Sequence, residues 1–552
     1  MGRRIGLLAT LALLLAAPAL LLGQSAVKTK PRGERSIAYW SKLLADMALA
    51  LRDGYMEEIN IDQIFTDAAD GMLNNLDPYS ILLTAEDHES LKESTSGKYE
   101  GIGIDIDVRD GEVTVIAPLD GTPAARLGFR PGDKIIRIDD TPTANLNNAE
   151  INRLVRGKAG SKVKLTIRRP GFEFPMDYWV ERAVIEVHPV RYAGMIDGTI
   201  GYVRIAKFGE GTEREMRAAV SSLQSQGCKS LILDLRANGG GLLDQAIATA
   251  NIFLPKDRLV VYTQGKSVAT MRRYETPAEP LFPTGDLVVL VDSGTASASE
   301  IVAGSLQDWD RGVILGHTTY GKGLVQNVIE WPNSDHALKL TTSKYYIPSG
   351  RSIQKPERAY KNGNGNVVAD KGDRKLYNTE NGRKVYGGGG ISPDVESASE
   401  QLNPIEFNLT RENLFFQFAV QYVADHPQTP RDFAVSDQLI EEFRRFVDSR
   451  NFRYQTNLEH LVAELEATAE AERKSAALAK DLLSLQKAIE REKQHDFDSA
   501  RDYIRSTLRR EILHARFGET GVYEQIITKE DPVVLQAVEL IKDRSRYRSL
   551  LK

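Results

Sequence analysis

The chain has a single cysteine, Cys228, among 552 residues. No intramolecular disulfide can form, and both a disulfide scaffold and a Cys-rich metal site are excluded. Cys228 stands just before an expected strand and reads as an inert, partly buried thiol. Histidine is scarce, with eight in the chain, and no two have the spacing of metal ligands, so no metal is expected. Charge of one sign is also lacking. A formal net charge of -5 gives no footprint for a nucleic-acid partner. Beyond the N-terminus no apolar run is long enough to cross a bilayer. What is present is the composition of a soluble protein, 41% apolar and 27% charged, in a chain too long for one core, so several domains are expected.

The N-terminus indicates where the protein works. Arg3 and Arg4 precede an apolar run from Ile5 to about Gly23, broken by Pro18 and followed by Gln24-Ser25-Ala26. A positive start, an apolar middle and small residues near a cleavage point read as an export signal, which places the protein in the periplasm or otherwise outside the cytoplasm. There is no lipobox cysteine for lipid attachment. The run is almost long enough to span a bilayer, so an uncleaved anchor in the inner membrane is the alternative.

The stretch Val288 to Gln326, VVLVDSGTASASEIVAGSLQDWDRGVILGHTTYGKGLVQ, organises the rest. Leu287 to Val291 has the length and β-branched content of a buried strand. After the small-residue turn Ser293-Gly294-Thr295-Ala296, apolar residues recur at Ile301, Val302, Leu306 and Trp309 with helical spacing. Ser297 therefore sits where a strand turns into a helix N-terminus, a place that exposes a hydroxyl and points backbone N-H groups at whatever it attacks. A plain helix cap, with Glu300 completing a capping box, is the other reading of the same residues. A second strand, Gly312 to Gly316, leads to His317-Thr318-Thr319-Tyr320-Gly321-Lys322-Gly323. A lysine activates a serine only when desolvation leaves its amine uncharged; otherwise Lys322 is a solvated loop residue.

The run GTASASEIVAGSLQDWDRGVILGHTTYGKGLVQ resembles the active-site block of the carboxy-terminal processing peptidases, or tail-specific proteases, which use a Ser/Lys dyad. The resemblance implies Ser297 as nucleophile, Lys322 as general base and Gln326 as the partner that orients it. Upstream, LDLRANGGG lies between a buried strand and a helix, where glycines let N-H groups face an oxyanion. The family usually shows Asn-Pro-Gly-Gly there, and Gly239 replaces the proline. By resemblance the oxyanion hole is the N-H of Gly240 and of Ala298, with Gly241 the alternative to Gly240. Asp234, Asp244 and Asp292 with His317 invite a Ser/His/Asp reading, which the position of His317 at a strand end does not favour.

From Tyr99 the pattern becomes short strands and turns. GTPAARLGFRPGDKIIRIDDTPT is similar to the central part of protease-associated PDZ domains. That resemblance makes Gly101, Ile102, Gly103 and Ile104 the substrate-binding loop, whose N-H groups converge on a terminal carboxylate while the adjacent strand edge pairs with a peptide. The upstream phrase GMLNNLDPYSILL resembles the segment before that domain.

The expected fold is an α/β protease core, layered with ββα-type repeats, carrying an inserted PDZ domain of mixed β/α structure between N- and C-terminal helical regions. Residues 1–26 are the signal peptide or anchor, 36–95 an N-terminal helical segment, 96–185 the PDZ domain, 186–400 the Ser/Lys peptidase core and 401–552 a C-terminal helical extension. Three apolar faces are expected to pack against neighbours. In the N-terminal segment they are Tyr39, Leu43, Leu44, Met47 and Leu51, and Ile64, Ala68, Met72 and Leu76. In the extension the face is Leu458, Leu461, Val462 and Leu465. The extension reads as packing on the core, an oligomer contact or an adaptor site. Lys355 to Gly389 is expected to be a mobile loop. The implied function is an exported serine endopeptidase that captures protein or peptide substrates by free C-termini and needs no cofactor. A non-catalytic PDZ adaptor on a decayed core is the rival; it predicts losses at Ser297, Lys322 or the glycine loop, and none is seen.

Overall fold

A computed structural model describes residues 35–355, 360–361, 367–368, 375–398 and 401–552. The expected export signal lies outside the described residues. Among those described, no helix is long and apolar enough to cross a membrane. The chain divides into two compact units, Met1–Leu82 and Leu83–Lys552.

The first unit contains the helices Ile37–Gly54 and Ile61–Leu73, capped by Ser36 and Asn60. The expected apolar faces are present but do not form a core. Ala48 is the only buried residue of the two helices, while Trp40 and Met47 are about half exposed.

In the second unit a six-stranded sheet runs in the order Val190–Asp197, Ile200–Ile205, Ser230–Asp234, Leu287–Val291, Val313–Gly316 and Val395–Glu396. The first pair is antiparallel and every later pair parallel. The central strands are buried on both faces, which is why they read as unbroken apolar runs. Met216, Val220, Ala246, Ile301 and Val302 belong to the cluster that covers one face. The other face is covered from far along the chain, by Val534, Ala537, Val538 and Ile541 of the helix Pro532–Lys542 and by Tyr547. The C-terminal helices thus complete the core of the peptidase sheet. A separate ribbon pairs Leu324–Glu330 with Ala337–Tyr346, which also pairs with Leu259–Gln264.

The PDZ segment is a sheet in the order Ile104–Arg109, Glu112–Pro118, Lys134–Ile138, Lys162–Arg168 and Met176–Glu181, with the helix Asn148–Val155 behind a capping box of Asn147 and Glu150. It leans on the helical extension: the Arg109 guanidinium lies 4.4 Å from the Phe416 ring, and Gln417 donates to Asp110 at 3.1 Å.

Two further expectations change. The segment from Lys355 is not all irregular, because Leu376–Asn378 and Lys384–Tyr386 form a hairpin. Arg383 anchors it, with its guanidinium on Asp310, Asp394 and the Gln307 carbonyl. The face expected at Leu458, Leu461, Val462 and Leu465 is mostly solvent-facing: only Val462 is buried, against Leu482 and Ile489.

Asp531 joins the extension to the core. Its carboxylate caps the helix Pro532–Lys542 by accepting from Val533 and Val534, and also takes Arg236 at 3.0 and 3.1 Å. Arg236 in turn forks onto buried Asp234, which accepts from the Tyr202 hydroxyl at 2.7 Å. Asp531→Ala should cost about 2 kcal/mol, the loss of a cap plus a partly buried pair. Asp531→Ser keeps a good cap but cannot reach Arg236, and about half that loss is expected in denaturant unfolding.

Candidate active site

Three loops leave the carboxyl ends of three neighbouring parallel strands: Leu235 to Leu242 after Ser230–Asp234, Asp292 to Ser297 after Leu287–Val291, and His317 to Gly323 after Val313–Gly316. Neighbouring strands in register place their following loops side by side, the usual site of chemistry in an α/β sheet. The cleft they border has a volume of about 700 Å³ and is lined by Gly240, Ser297, Ala298, Lys322 and Gln326 among others. Every residue expected in the peptidase site therefore meets in one cleft.

Ser297 is the residue just ahead of the helix Ala298–Asp308, with φ 56° and ψ -117°. A side chain at positive φ costs roughly 1–3 kcal/mol and persists only where its surroundings fix it. Here the strain is held by Glu300, a fully buried carboxylate. Its Oε2 accepts from Ser297 N-H at 2.8 Å and from Lys322 N-H at 3.0 Å, and its Oε1 accepts from Gly321 N-H at 2.7 Å and the Thr319 hydroxyl at 2.5 Å. One carboxylate thus ties the serine turn to the lysine loop. Burial pushes its pKa up to about 7, against the pull of these four donors. Buried Tyr345 adds a second tie, since its hydroxyl donates to the Lys322 carbonyl at 2.5 Å and lies 3.2 Å from the Ser297 carbonyl.

Sequence reasoning saw Glu300 only as a helix cap and missed Tyr345. The capping-box spacing was a usable signal for the first. Tyr345 sits in an ordinary strand pattern, and nothing local marks it.

The glycine loop reaches the serine closely. A methyl group on Gly240 would lie 2.8 Å from Ser297 Cβ and 2.8 Å from Ala298 N. Asn238 braces the loop from within: its amide donates to the Ile205 carbonyl at 2.9 Å, and its Oδ1 accepts from Gly240 N-H at 2.9 Å. The Gly240 N-H is thus already bonded. The Ala298 N-H, first in its helix, has no acceptor within that helix. Gln326 donates to the Thr341 hydroxyl at 3.2 Å.

Three of the four rival groups are engaged elsewhere. His317 Nε2 is 3.2 Å from the Ser397 hydroxyl, Asp234 is bound to Arg236, and Asp292 accepts from the N-H of Ala237 and Gly294. In the PDZ segment Gly101, Ile102 and Gly103 are buried, and Ile104 is half-buried and opens the edge strand. Ile102 belongs to the core cluster with Val113 and Ile135, so its side chain packs inward. The carbonyls of Ile102 and Gly103 accept from the N-H of Ala124 and Leu119.

Comparison with known proteins agrees with this architecture. Residues 199–359 match the model of peptidase family S41, residues 114–169 that of a PDZ domain, and residues 405–541 that described as a probable PDZ-protease C-terminal helical domain. The last match extends the similarity into the helices, beyond the motifs that carry the sequence resemblance. The carboxy-terminal-processing protease of Bartonella bacilliformis is 38% identical over 313 residues, covering 56% of this chain and 71% of that protein. The carboxy-terminal processing protease CtpA of Bacillus subtilis is 33% identical over 375 residues, covering 68% and 78%. A solved photosystem II D1 C-terminal processing protease is 27% identical, covers 63% of this chain and 86% of its own, and has a TM-score of 0.36. The chain therefore belongs to the carboxy-terminal processing proteases of peptidase family S41, and is a serine peptidase with a PDZ domain.

Proposed function

We propose that the protein is an exported endopeptidase that takes hold of the free C-terminus of a protein or peptide and cleaves the chain with a Ser297/Lys322 dyad. The observation that carries this reading is the Glu300 carboxylate, which accepts from the backbone of both residues and so fixes the two loops to each other. Ser297 Oγ attacks the scissile carbonyl, and the uncharged Lys322 amine takes the hydroxyl proton and later returns it to the leaving amine. Water then clears the acyl-enzyme. Among the described residues the Ala298 N-H has no acceptor, so it can meet the oxyanion without rearrangement. Gly240 N-H joins it by sharing or releasing Asn238 Oδ1. Gln326, whose Nε2 is spent on Thr341, has its Oε1 left to orient the lysine amine.

The tail would lie along Ile104–Arg109, an edge strand that among the described residues pairs on one side only, with its carboxylate near Gly101 to Ile104. The working division is residues 1–26 as signal or inner-membrane anchor, 36–95 as a helical segment, 96–185 as the PDZ domain, 186–400 as the peptidase and 401–552 as a helical extension. That extension is also the candidate surface for a second copy or an adaptor. The test is a peptide with a free C-terminus against its amidated twin. Cleavage of the first well ahead of the second, lost in Ser297→Ala and Lys322→Ala, is the expected result. Binding without cleavage by the unaltered protein would overturn it.

A further inference from the structure

The charge of the cleft is opposite in sign to that of the chain. The whole sequence carries a formal -5, yet Lys92, Lys207, Lys322 and Lys339 line the cleft against one carboxylate, Glu330. That carboxylate is already matched, with His88 Nε2 at 3.0 Å and Lys92 Nζ at 3.5 Å from the same oxygen. If Lys322 works as an uncharged base, three lysines still face one glutamate. Among the described residues neither Lys207 nor Lys339 has an ion-pair partner; Lys207 Nζ donates to the Ser94 hydroxyl. Desolvation by the cleft walls lowers the pKa of Lys207, although much of its side chain is exposed, and no counter-charge acts against it.

These two lysines come from different walls. Lys207 adjoins Phe208, whose N-H donates to the Gly240 carbonyl at 3.0 Å, so it stands beside the glycine loop. Lys339 pairs with Val328 in the ribbon and shares its face with Gln326, two residues from Val328 along the strand. A chain threaded between the glycine loop and the ribbon passes one unmatched cation on each side. We infer that this cleft accepts a carboxylate of the substrate close to the scissile bond, and that Lys207 and Lys339 recognise it. The inference rests on the cleft being the peptidase site. Complementary charge of this kind raises the capture rate and rejects wrong partners more than it tightens binding, and salt screens it.

A substrate carboxylate has two sources, an acidic side chain or the chain end, and two pairs of peptides separate them. The first pair carries Glu or Gln within three residues of the cleaved bond and shares one long C-terminal tail. The second pair ends three residues beyond the bond, as a carboxylate or an amide. The quantity read is the carboxylate-to-neutral ratio of kcat/KM, in which general damage from a substitution cancels because both peptides meet the same protein.

In the unaltered protein the ratio should be about 3 to 10 in at least one pair, falling toward one at high salt. Lys207→Met and Lys339→Met should each lower it, and Lys207→Glu should bring it below one. A response confined to the first pair assigns the carboxylate to a side chain, and one confined to the second assigns it to the chain end. Ratios of one in both pairs, or ratios that survive in all three variants, overturn the role of the two lysines while leaving the peptidase reading intact. No cleavage of any of the four peptides by the unaltered protein would overturn that reading and this inference with it.

Discussion

Glu300→Ala is expected to lower kcat/KM by about 100- to 1000-fold, the scale seen when a preorganised catalytic arrangement is lost, and Glu300→Gln by about tenfold. The difference follows from counting donors. Alanine removes every acceptor that holds the N-H groups of Ser297, Gly321 and Lys322 and the Thr319 hydroxyl. Each buried N-H left unmatched costs roughly 1–3 kcal/mol, and the strained turn at Ser297 loses the bond that opposes its relaxation. Glutamine can keep an oxygen toward Ser297 and Lys322 and turn its NH2 toward Thr319, whose hydroxyl rotates to accept. Only the Gly321 N-H is then left without a partner.

The pH dependence provides a second readout. The Glu300 pKa is pushed up to about 7, so the carboxylate gains a proton as pH falls through that value and can no longer accept from all four donors. Activity should fall with it. In the proposed dyad the Lys322 amine must also be uncharged, so on the acid side log kcat/KM should fall with two protons in the unaltered enzyme and with one in Glu300→Gln. Folding stability responds with the opposite sign. A carboxyl whose pKa is raised by folding contributes stability that is present in full below its unfolded pKa of about 4.5 and is lost as pH rises through about 7. A profile identical in the two proteins would remove Glu300 from the site.

Much of the core was legible because its signals are local. Leu287 to Val291 is a β-branched run and is a strand with those bounds, and the helix after Ser297 follows from apolar spacing and a cap. That Ser297, Lys322, Gly240 and Gln326 meet in one cleft was inferred from a family pattern; its physical cause is the in-register parallel pairing of three strands. What stayed hidden depends on distant contacts. The Pro532–Lys542 helix reads as one more amphipathic helix, and nothing in it says that it covers the peptidase sheet or that Asp531 meets Arg236. The opposite error came from Leu458, Leu461 and Leu465. Their spacing describes a face correctly, but spacing carries no information on whether a partner covers it, and these side chains remain exposed.

Gly240→Ala should abolish most activity, with kcat/KM down by about 100- to 1000-fold, comparable to loss of an oxyanion donor. Two independent effects act at this position. Its φ is +94°, where an L side chain is strained whatever the space available. Its added methyl would also lie 2.7 Å from the Ala296 carbonyl oxygen and 2.8 Å from both Ala298 N and Ser297 Cβ. Two of these three atoms are backbone of the serine turn, so relief of the clash must move either that turn or the glycine loop. In the proposed mechanism, both movements separate the Gly240 and Ala298 N-H groups from the carbon that Ser297 would attack. The neighbouring glycine is the internal control. Gly239 has no positive φ, and a methyl there meets nothing within 4 Å, so Gly239→Ala should keep activity within about threefold, as expected for a substitution without a named steric cause. If the two variants lose activity equally, close approach of the loop to Ser297 is not what the chemistry requires. If Gly240→Ala falls while Gly239→Ala holds, and peptide binding to the PDZ segment is unchanged in both, the loss lies in the geometry around the serine.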